Sequence, residues 1–382
     1  MLSSEVARSP LSRNERYGPL LHLCHSGLKQ TINPSSSIYD RQLRNARIEN
    51  TWGTEDLTST CICLIGIDRS HSDPGSISLS PRRTLDAAIK LAARRRYTGA
   101  LGLLVWANSV AGGVAPEELV RCTGMTLDDA ARYVGSLTTM ELAWLASGLL
   151  HEVERTQSAA IRAIAHSVVG ALDERYDEGA GLMPHAAAAA PLAHRFRGRI
   201  ANFADQIYSV QAFAFAAIVL EDKRALERAV RLAERLVALQ GVSGQWWWHY
   251  DARTGAVAER YPVYSVHQYA MAPMALMAVE AAGGPTFVDA VQKSHSWLHH
   301  NELGLNMVDQ RAETIWRDVR RSEGRARSLL RRARILAGLN SAPEPTGRAS
   351  LIVNYETRPY EWAWCLYAGA IDSHLERKGH LV

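Results

Sequence analysis

The sequence predicts an all-α fold in which helices form two concentric layers. Three observations carry this. Helical periodicity runs almost without a break from about residue 84. The helical segments alternate between amphipathic ones, such as LERAVRLAERLVALQ, and ones apolar nearly all round, such as YSVQAFAFAAIVL and YAMAPMALMAV. A helix with one wet face suits an outer layer, and a helix apolar on every side must be buried. Finally, Tyr208-Ser209-Val210-Gln211 is echoed 56 positions later by Tyr264-Ser265-Val266-His267. Each motif is read as the start of a buried helix that follows an amphipathic helix and a long polar loop. A hairpin every 50–60 residues is a repeat architecture, and 382 residues hold about six such units.

Taken in order, residues 1–50 read as an irregular N-terminal arm, because RSPLSRNERYGP and INPSSS are turn-rich. Residues 51–375 form one helical domain, and 376–382 a short tail. TLDAAIKLAARR starts at Thr84, a good N-cap, with Leu85, Ala88, Ile89 and Ala92 at helical spacing. LDDAARYVGSL, TTMELAWLASGLLHEV and SAAIRAIAHSVVGALDERY continue the pattern, as do FVDAVQKSHSWLHH, AETIWRDVRR and PYEWAWCLYAGAI. ASLIVNYE is the best strand candidate. Residues 97–116 lack charge over the length of a membrane span, but Gly99, Gly102, Asn108, Gly112, Gly113 and Pro116 interrupt them. The segment therefore reads as a buried globular helix ended by Gly112-Gly113, and no membrane span is expected.

Composition narrows the function. Lys+Arg of 43 against Asp+Glu of 39 gives a net charge of +4, too small to argue for nucleic acid. Five cysteines (Cys24, Cys61, Cys63, Cys122 and Cys365) without regular spacing do not form a disulfide framework. The N-terminal stretch lacks the apolar core of a signal peptide, so the cytoplasm is the expected location. Phosphate-binding, dinucleotide, nucleophilic-serine and zinc motifs are absent from the sequence, and no cofactor or metal is expected. The bias is aromatic: 10 Trp and 13 Tyr against 5 Phe. Trp and Tyr join an apolar body to a polar tip, which suits walls that face ligands.

GQWWWHYDARTG followed by YPVYSVHQYAMAPMAL resembles the hairpins of the six-hairpin glycosidase superfamily, which includes unsaturated glucuronyl hydrolases, with sugar epimerases on a related barrel. In those proteins an aromatic loop precedes a buried inner helix whose first turn faces a cleft. The resemblance implies an (α/α)6-type barrel or toroid over roughly residues 55–375 and a carbohydrate substrate. A second resemblance lies in Gln240-Gly241-Val242-Ser243-Gly244-Gln245-Trp246, which fits one copy of the Q-x3-G-x-W repeat of terpene cyclases, also α/α toroids. Those carry several copies, and the acidic D-x-D-D motif of protonating cyclases is not matched at Asp128-Asp129.

In such a barrel the inner-helix N-termini line one mouth, where free N–H groups and the helix dipole favour anions. The candidate acid–base groups are Asp205, His267 and Glu361. Asp205 is equally suited to capping its helix. His267 follows Tyr264 by one turn and could abstract a proton beside a uronate carboxylate, or simply be bonded within the wall. Burial of Glu361 between Tyr360 and Trp362 would raise its pKa, unless it pairs with Arg358 or another arginine. Tyr208, Trp246, Trp248, His249, Tyr264, Gln268, Arg317 and Tyr360 are candidate substrate contacts. Three consecutive tryptophans, Trp246–Trp248, cannot all face one way, so at least one belongs to a wall or cleft. His295 and His299 stand at i, i+4 but lack the acidic partner of a zinc helix, so packing explains them. Residues 311–348 hold ten arginines, which could form a basic patch for an anionic polymer or phosphate but fit a solvated outer helix with Leu329, Leu330 and Ile335 on one side.

Three readings follow: a hydrolase, lyase or epimerase acting on an acidic or modified sugar; a non-catalytic toroid that binds a glycan or partner protein; and a terpene-cyclase-like toroid with an apolar cavity. Oligomeric state is not legible in the sequence.

Overall fold

The computed structural model describes residues 13–50, 55–70, 80–95, 98–124, 126, 133–188, 190–337 and 350–378. Asp128-Asp129, Arg348 and most of LDDAARY lie outside the described residues, as does the end of the expected tail. The helices are α1 (Arg13–Thr31), α2 (Glu55–Arg69), α3 (Pro81–Arg95), α4 (Leu101–Val110), α5 (Pro116–Cys122), α6 (Thr139–Thr156) and α7 (Ala159–Asp173). Then come the short α8 (Leu192–Arg195), α9 (Phe203–Val219), α10 (Lys223–Ala238), α11 (Ala272–Ala281), α12 (Val288–Ser296), α13 (Arg325–Leu336) and α14 (Pro359–Lys378). A π-helical turn, His267–Met271, leads into α11.

The packing closes a ring. α2 lies against α4, α4 against α6, α6 against α9, α9 against α11, α11 against α14, and α14 returns to α2. These six are the apolar helices, buried nearly all round. Outside them, α3 packs on α2, α5 on α4, α7 on α6, α10 on α9 and α12 on α11. Glycines allow the closest approaches within the ring. A Cβ on Gly102 would strike the Leu145 backbone, and one on Gly148 would strike the carbonyl of Gly102, so α4 and α6 meet backbone to backbone.

The sixth outer helix is α1, packed on α14. This corrects the reading of residues 1–50 as irregular. Arg16 donates from Nη2 to Asp372 at 2.9 Å, with both side chains buried. A Cβ on Gly27 would meet the ring of Trp362. Gly18, Pro19 and Gly27 hide the helical pattern in the sequence, yet Gly27 is what lets α1 lie close on α14. The N-terminal helix thus completes the hairpin that the C-terminal helix begins, and joins the two ends of the ring.

Eleven short strands accompany the helices: β1 (Arg41–Arg44), β2 (Arg47–Asn50), β3 (Ile200–Asn202), β4 (His249–Asp251), β5 (Ala256–Glu259), β6 (Val263–Tyr264), β7 (Val308–Asp309), β8 (Thr314–Ile315), β9 (Asp318–Arg321), β10 (Leu351–Asn354) and β11 (Glu356–Thr357). They pair in the antiparallel orders β11-β1-β2, β10-β9-β6, β3-β4-β5 and β7-β8. ASLIVNYE supplies β10, and AETIWRDVRR, expected to be helical, instead carries β8 and β9; none of these strands exceeds four residues, too short for a firm period-2 signal. β1–β6, β10 and β11 lie in segments that lead into an inner helix, α2, α9, α11 or α14, and β7–β9 precede α13 in the long connection from α12 to α14. The long polar loops are therefore small sheets gathered at the N-terminal mouth of the inner ring. Among the described residues no helix is long and apolar enough to cross a membrane; α4, in the uncharged stretch, spans only Leu101–Val110 and is largely buried.

Candidate active site

The sheets bring distant side chains to the inner-helix starts. β6 pairs with β9, setting Tyr264 opposite Asp318 and beside Arg317. The Ser265 hydroxyl donates to the Trp316 carbonyl at 2.6 Å, and the Ser265 N–H to the Arg317 carbonyl at 2.8 Å. β3 pairs with β4, setting Asn202 opposite His249. Trp248 is fixed by its own backbone: its N–H donates to the Arg260 carbonyl and its carbonyl accepts from the Phe203 N–H.

Between these elements lies a cavity of about 360 Å³. Thr58 and Ser59 of α2, Met140 and Trp144 of α6, Ala204 and Tyr208 of α9, His267 and Met271 of the π turn, and Tyr360 of α14 line it. Five of the six inner helices thus contribute their first turns, or the π turn that leads into them. Asn202, Trp248, Tyr264, Arg317 and Arg358 complete the wall from the loops.

One side is aromatic. The Trp248 ring lies 4.8 Å from Tyr264 and is stacked nearly parallel to His267 at 6.1 Å. Tyr208 meets Trp144 edge-on at 5.4 Å. The other side is cationic. Arg317 is ion-paired to Glu361 and donates to the Tyr360 hydroxyl at 3.0 Å. Burial opposes its charge, but Glu361, Tyr360 and Tyr264 outweigh burial and hold the guanidinium protonated. Burial pushes Glu361 up to about 7, against the pull of Arg317 and Arg358. Burial, reinforced by Arg317, pushes His267 down to about 3, so its imidazole is neutral. Its Nδ1 is buried and has no hydrogen-bond partner among the described residues.

Six of the sequence candidates line this cavity: Tyr208, Trp248, Tyr264, His267, Arg317 and Tyr360. The other five stand behind it. Asp205 occupies the third position of α9 in a capping box with Asn202. Its carboxylate also accepts from the Met140 N–H at 3.0 Å and lies 2.8 Å from His185 Nδ1, tying the starts of α6 and α9 together. Glu361 reaches the cavity only through Arg317. Trp246 is buried, with its N–H on Gln268 Oε1; Gln268 in turn donates to the Tyr264 carbonyl. His249 stacks against Trp248, with Nδ1 bonded to Glu259 at 2.6 Å and Nε2 accepting from Arg197. Trp144, Asn202 and Met140 were not among the candidates. Trp144 sits in an ordinary apolar helix, and Asn202 is a helix cap, so neither carries a chemical signature in sequence.

A larger cavity, 690 Å³, lies at the end of α7, lined by Arg175, Arg195, Arg199, Arg253 and several alanines. Its buried polar group, Arg175, is already spent on the carbonyls of Leu137 and Val134. It has no aromatic wall comparable to that beside Trp248. Among the described residues no group of three or more His, Cys, Asp or Glu could hold a metal ion. His295 is buried against Tyr17, while His299 is exposed and bonded to Asn306.

No protein-family model matches the chain, and no curated protein matches it. Solved structures do. An unsaturated glucuronyl hydrolase from Bacillus sp. GL1, described as responsible for glycosaminoglycan degradation, superposes with a TM-score of 0.56 at 14% identity, covering 94% of this chain and 96% of that one. A heparin-specific unsaturated glucuronyl hydrolase gives 0.57 at 11%, with 95% and 97% covered. The fold is the six-hairpin glycosidase-like (α/α) toroid. A cellobiose 2-epimerase from Bacillus thermoamylovorans shares it, at 0.58 and 11% identity over 94% of this chain and all of that one. These neighbours are carbohydrate-active proteins, and at such identity the likeness extends to the fold alone.

Proposed function

We propose that the 360 Å³ cavity binds a short acidic saccharide and that the protein acts on it by proton transfer, as an epimerase or lyase does. The observation that carries this reading is the pairing of a neutral, unpartnered imidazole, His267, with a charged Arg317 across a Trp–Tyr wall. The volume is at the small end of the roughly 300–1,000 Å³ range of ligand pockets, which suits a short saccharide. Trp248 and Tyr264 would stack the apolar face of a sugar ring. Arg317 and Arg358 would take its carboxylate, which acidifies the adjacent C–H. His267 would accept that proton on its imidazole, which lines the cavity, and the arriving carboxylate would raise its basicity. Tyr208 would return a proton. Glu361 is a positioning residue here, since it touches Arg317 and does not line the cavity.

A two-carboxylate hydrolysis is less well supported, because among the described residues no Asp or Glu lines the cavity. The same observation favours a second reading, a sugar-binding toroid without turnover. Both are tested by screening acidic disaccharides against the wild type, Trp248→Ala and His267→Gln, with binding measured separately from turnover. The enzyme reading expects His267→Gln to bind and not turn over. The binding reading expects no turnover by the wild type and loss of binding in Trp248→Ala alone.

A further inference from the structure

The arginine-rich helix α13 does not present itself as its sequence suggests. Ile335 and Arg331 are buried and Ser328 is half-buried, so these three mark the inward face. Arg331 lies between Glu259 and Glu323, which anchor the helix. Leu329 and Leu330 point outward, 66% and 64% exposed, with Leu336 and the exposed Ala326 and Ala333 around them. At 100° per residue this apolar strip is the outermost face, opposite Arg331 and Ile335. Arg325 and Arg332, seven residues apart, flank it on one edge, and Arg327 and Arg334 flank it on the other. α13 contains no acidic residue.

A second apolar–basic element stands beside it. Leu192 and Phe196 are 70% and 78% exposed, next to the exposed Arg195. Arg199 reaches from this segment to the Leu336 carbonyl at 3.4 Å, and Arg197 is close enough to Arg332 for its charge to be felt. Exposed leucine and phenylalanine flanked by arginine are costly in water unless something covers them.

We propose that α13 and the Leu192–Phe196 turn dock the protein onto an anionic lipid surface. The charge is complementary, and the geometry is that of a helix lying in an interface: apolar residues sink toward the acyl chains while arginines on both edges reach the headgroup phosphates. A hydrated acidic polymer would meet the arginines but leave the leucines wet. An acidic protein partner would have to supply a groove for this ridge.

The test is co-sedimentation of the full chain with phosphatidylcholine vesicles, with and without about 30 mol% phosphatidylglycerol. Binding is expected only to the anionic vesicles and should weaken at high salt. The double variant Leu329→Ser/Leu330→Ser should lose about tenfold in affinity, and Arg327→Gln/Arg332→Gln a comparable factor. These side chains are exposed, so the melting temperature should not move. Phe196→Ser, on the separate turn, gives the same readout without touching α13. Absence of anionic-vesicle binding at low salt, or binding that both double variants leave intact, overturns the proposal. So does light scattering that shows a dimer which the leucine variant dissolves, since the face would then join two copies. Capture by polyglutamate but not by vesicles would likewise assign the face to an acidic partner.

Discussion

The starts of α9 and α11 carry nearly the same four residues and are built differently. In α9, Tyr208-Ser209-Val210-Gln211 lies inside a regular helix that begins five residues earlier, at Phe203, under the Asn202–Asp205 capping box. Ser209 bonds back to the Asp205 carbonyl within the helix. At α11, Tyr264 is still in strand β6, Ser265 bonds outward to Trp316, and His267 opens a π turn. The sequence echo marks both places, and a strand leads into each: β3 ties the start of α9 to β4, while β6 ties the start of α11 to β9. The second coupling brings Arg317 to the cavity and sets His267 over Phe203 at 4.5 Å, with Trp248 beyond. π turns often occur at functional sites, because one extra residue re-aims the side chains around it. The position equivalent to His267 in α9 is Gln211, also buried, with neither amide atom bonded among the described residues.

The largest expected effect separates these two positions. His267→Gln makes the second start resemble the first and should lower turnover by roughly 10²–10⁴-fold, the usual contribution of a general base, with KM little changed. Gln211→Leu should leave turnover intact and be neutral or stabilising, since it removes two unmet buried groups. Steady-state kinetics and thermal melts of the pair check both statements.

Next comes the charge behind the cavity. Glu361→Gln replaces the nearest anion on Arg317 with a neutral amide, leaving Glu356 at 3.6 Å and Asp318 at 3.9 Å. It should raise KM for an acidic substrate more than it lowers kcat, because Glu361 acts through Arg317. Equal loss in both parameters would give Glu361 a direct part in the chemistry.

Acid should weaken the fold through its buried imidazoles. Burial pushes His267 and His295 down to about 3 and His151 to about 4. Below the ordinary histidine pKa of about 6.5 the unfolded chain binds protons that the folded chain refuses. Stability is therefore full above about pH 6.5 and falls as pH drops toward 3, by on the order of 3 kcal/mol for each of these imidazoles by pH 4. Melting temperatures between pH 7 and pH 4.5 should show the decline, and His295→Asn should flatten it without altering the cavity.

The smallest effect is Asn202→Ala. Losing the capping box of α9 should cost about 1 kcal/mol, read from denaturant unfolding. No corresponding cap exists at the π turn, where Ser265→Ala should instead disturb Arg317 and show first in KM.

The double ring was legible because burial on all sides and burial on one side leave different patterns in a sequence. α1 was not, since Pro19 and two glycines break its pattern while its partner α14 lies more than 300 residues away. Trp248 was named together with Trp246, because which indole faces the cavity depends on the register of β4 with β3. Asp205 and Glu361 were named as acid–base candidates from their places at helix starts, and both are buried there. That the first is spent on Met140, Asn202 and His185, and the second on Arg317, depends on contacts across the ring that no local spacing records. The outward face of α13 was misassigned because leucines on an arginine-rich helix are ordinarily the buried side.

The most direct measurement is deuterium exchange into an acidic disaccharide in D2O, followed by NMR at the carbon beside the carboxylate. If His267 is the base, the wild type should introduce deuterium there and His267→Gln should not, while both bind the sugar. Turnover or exchange that persists in His267→Gln would contradict the assignment.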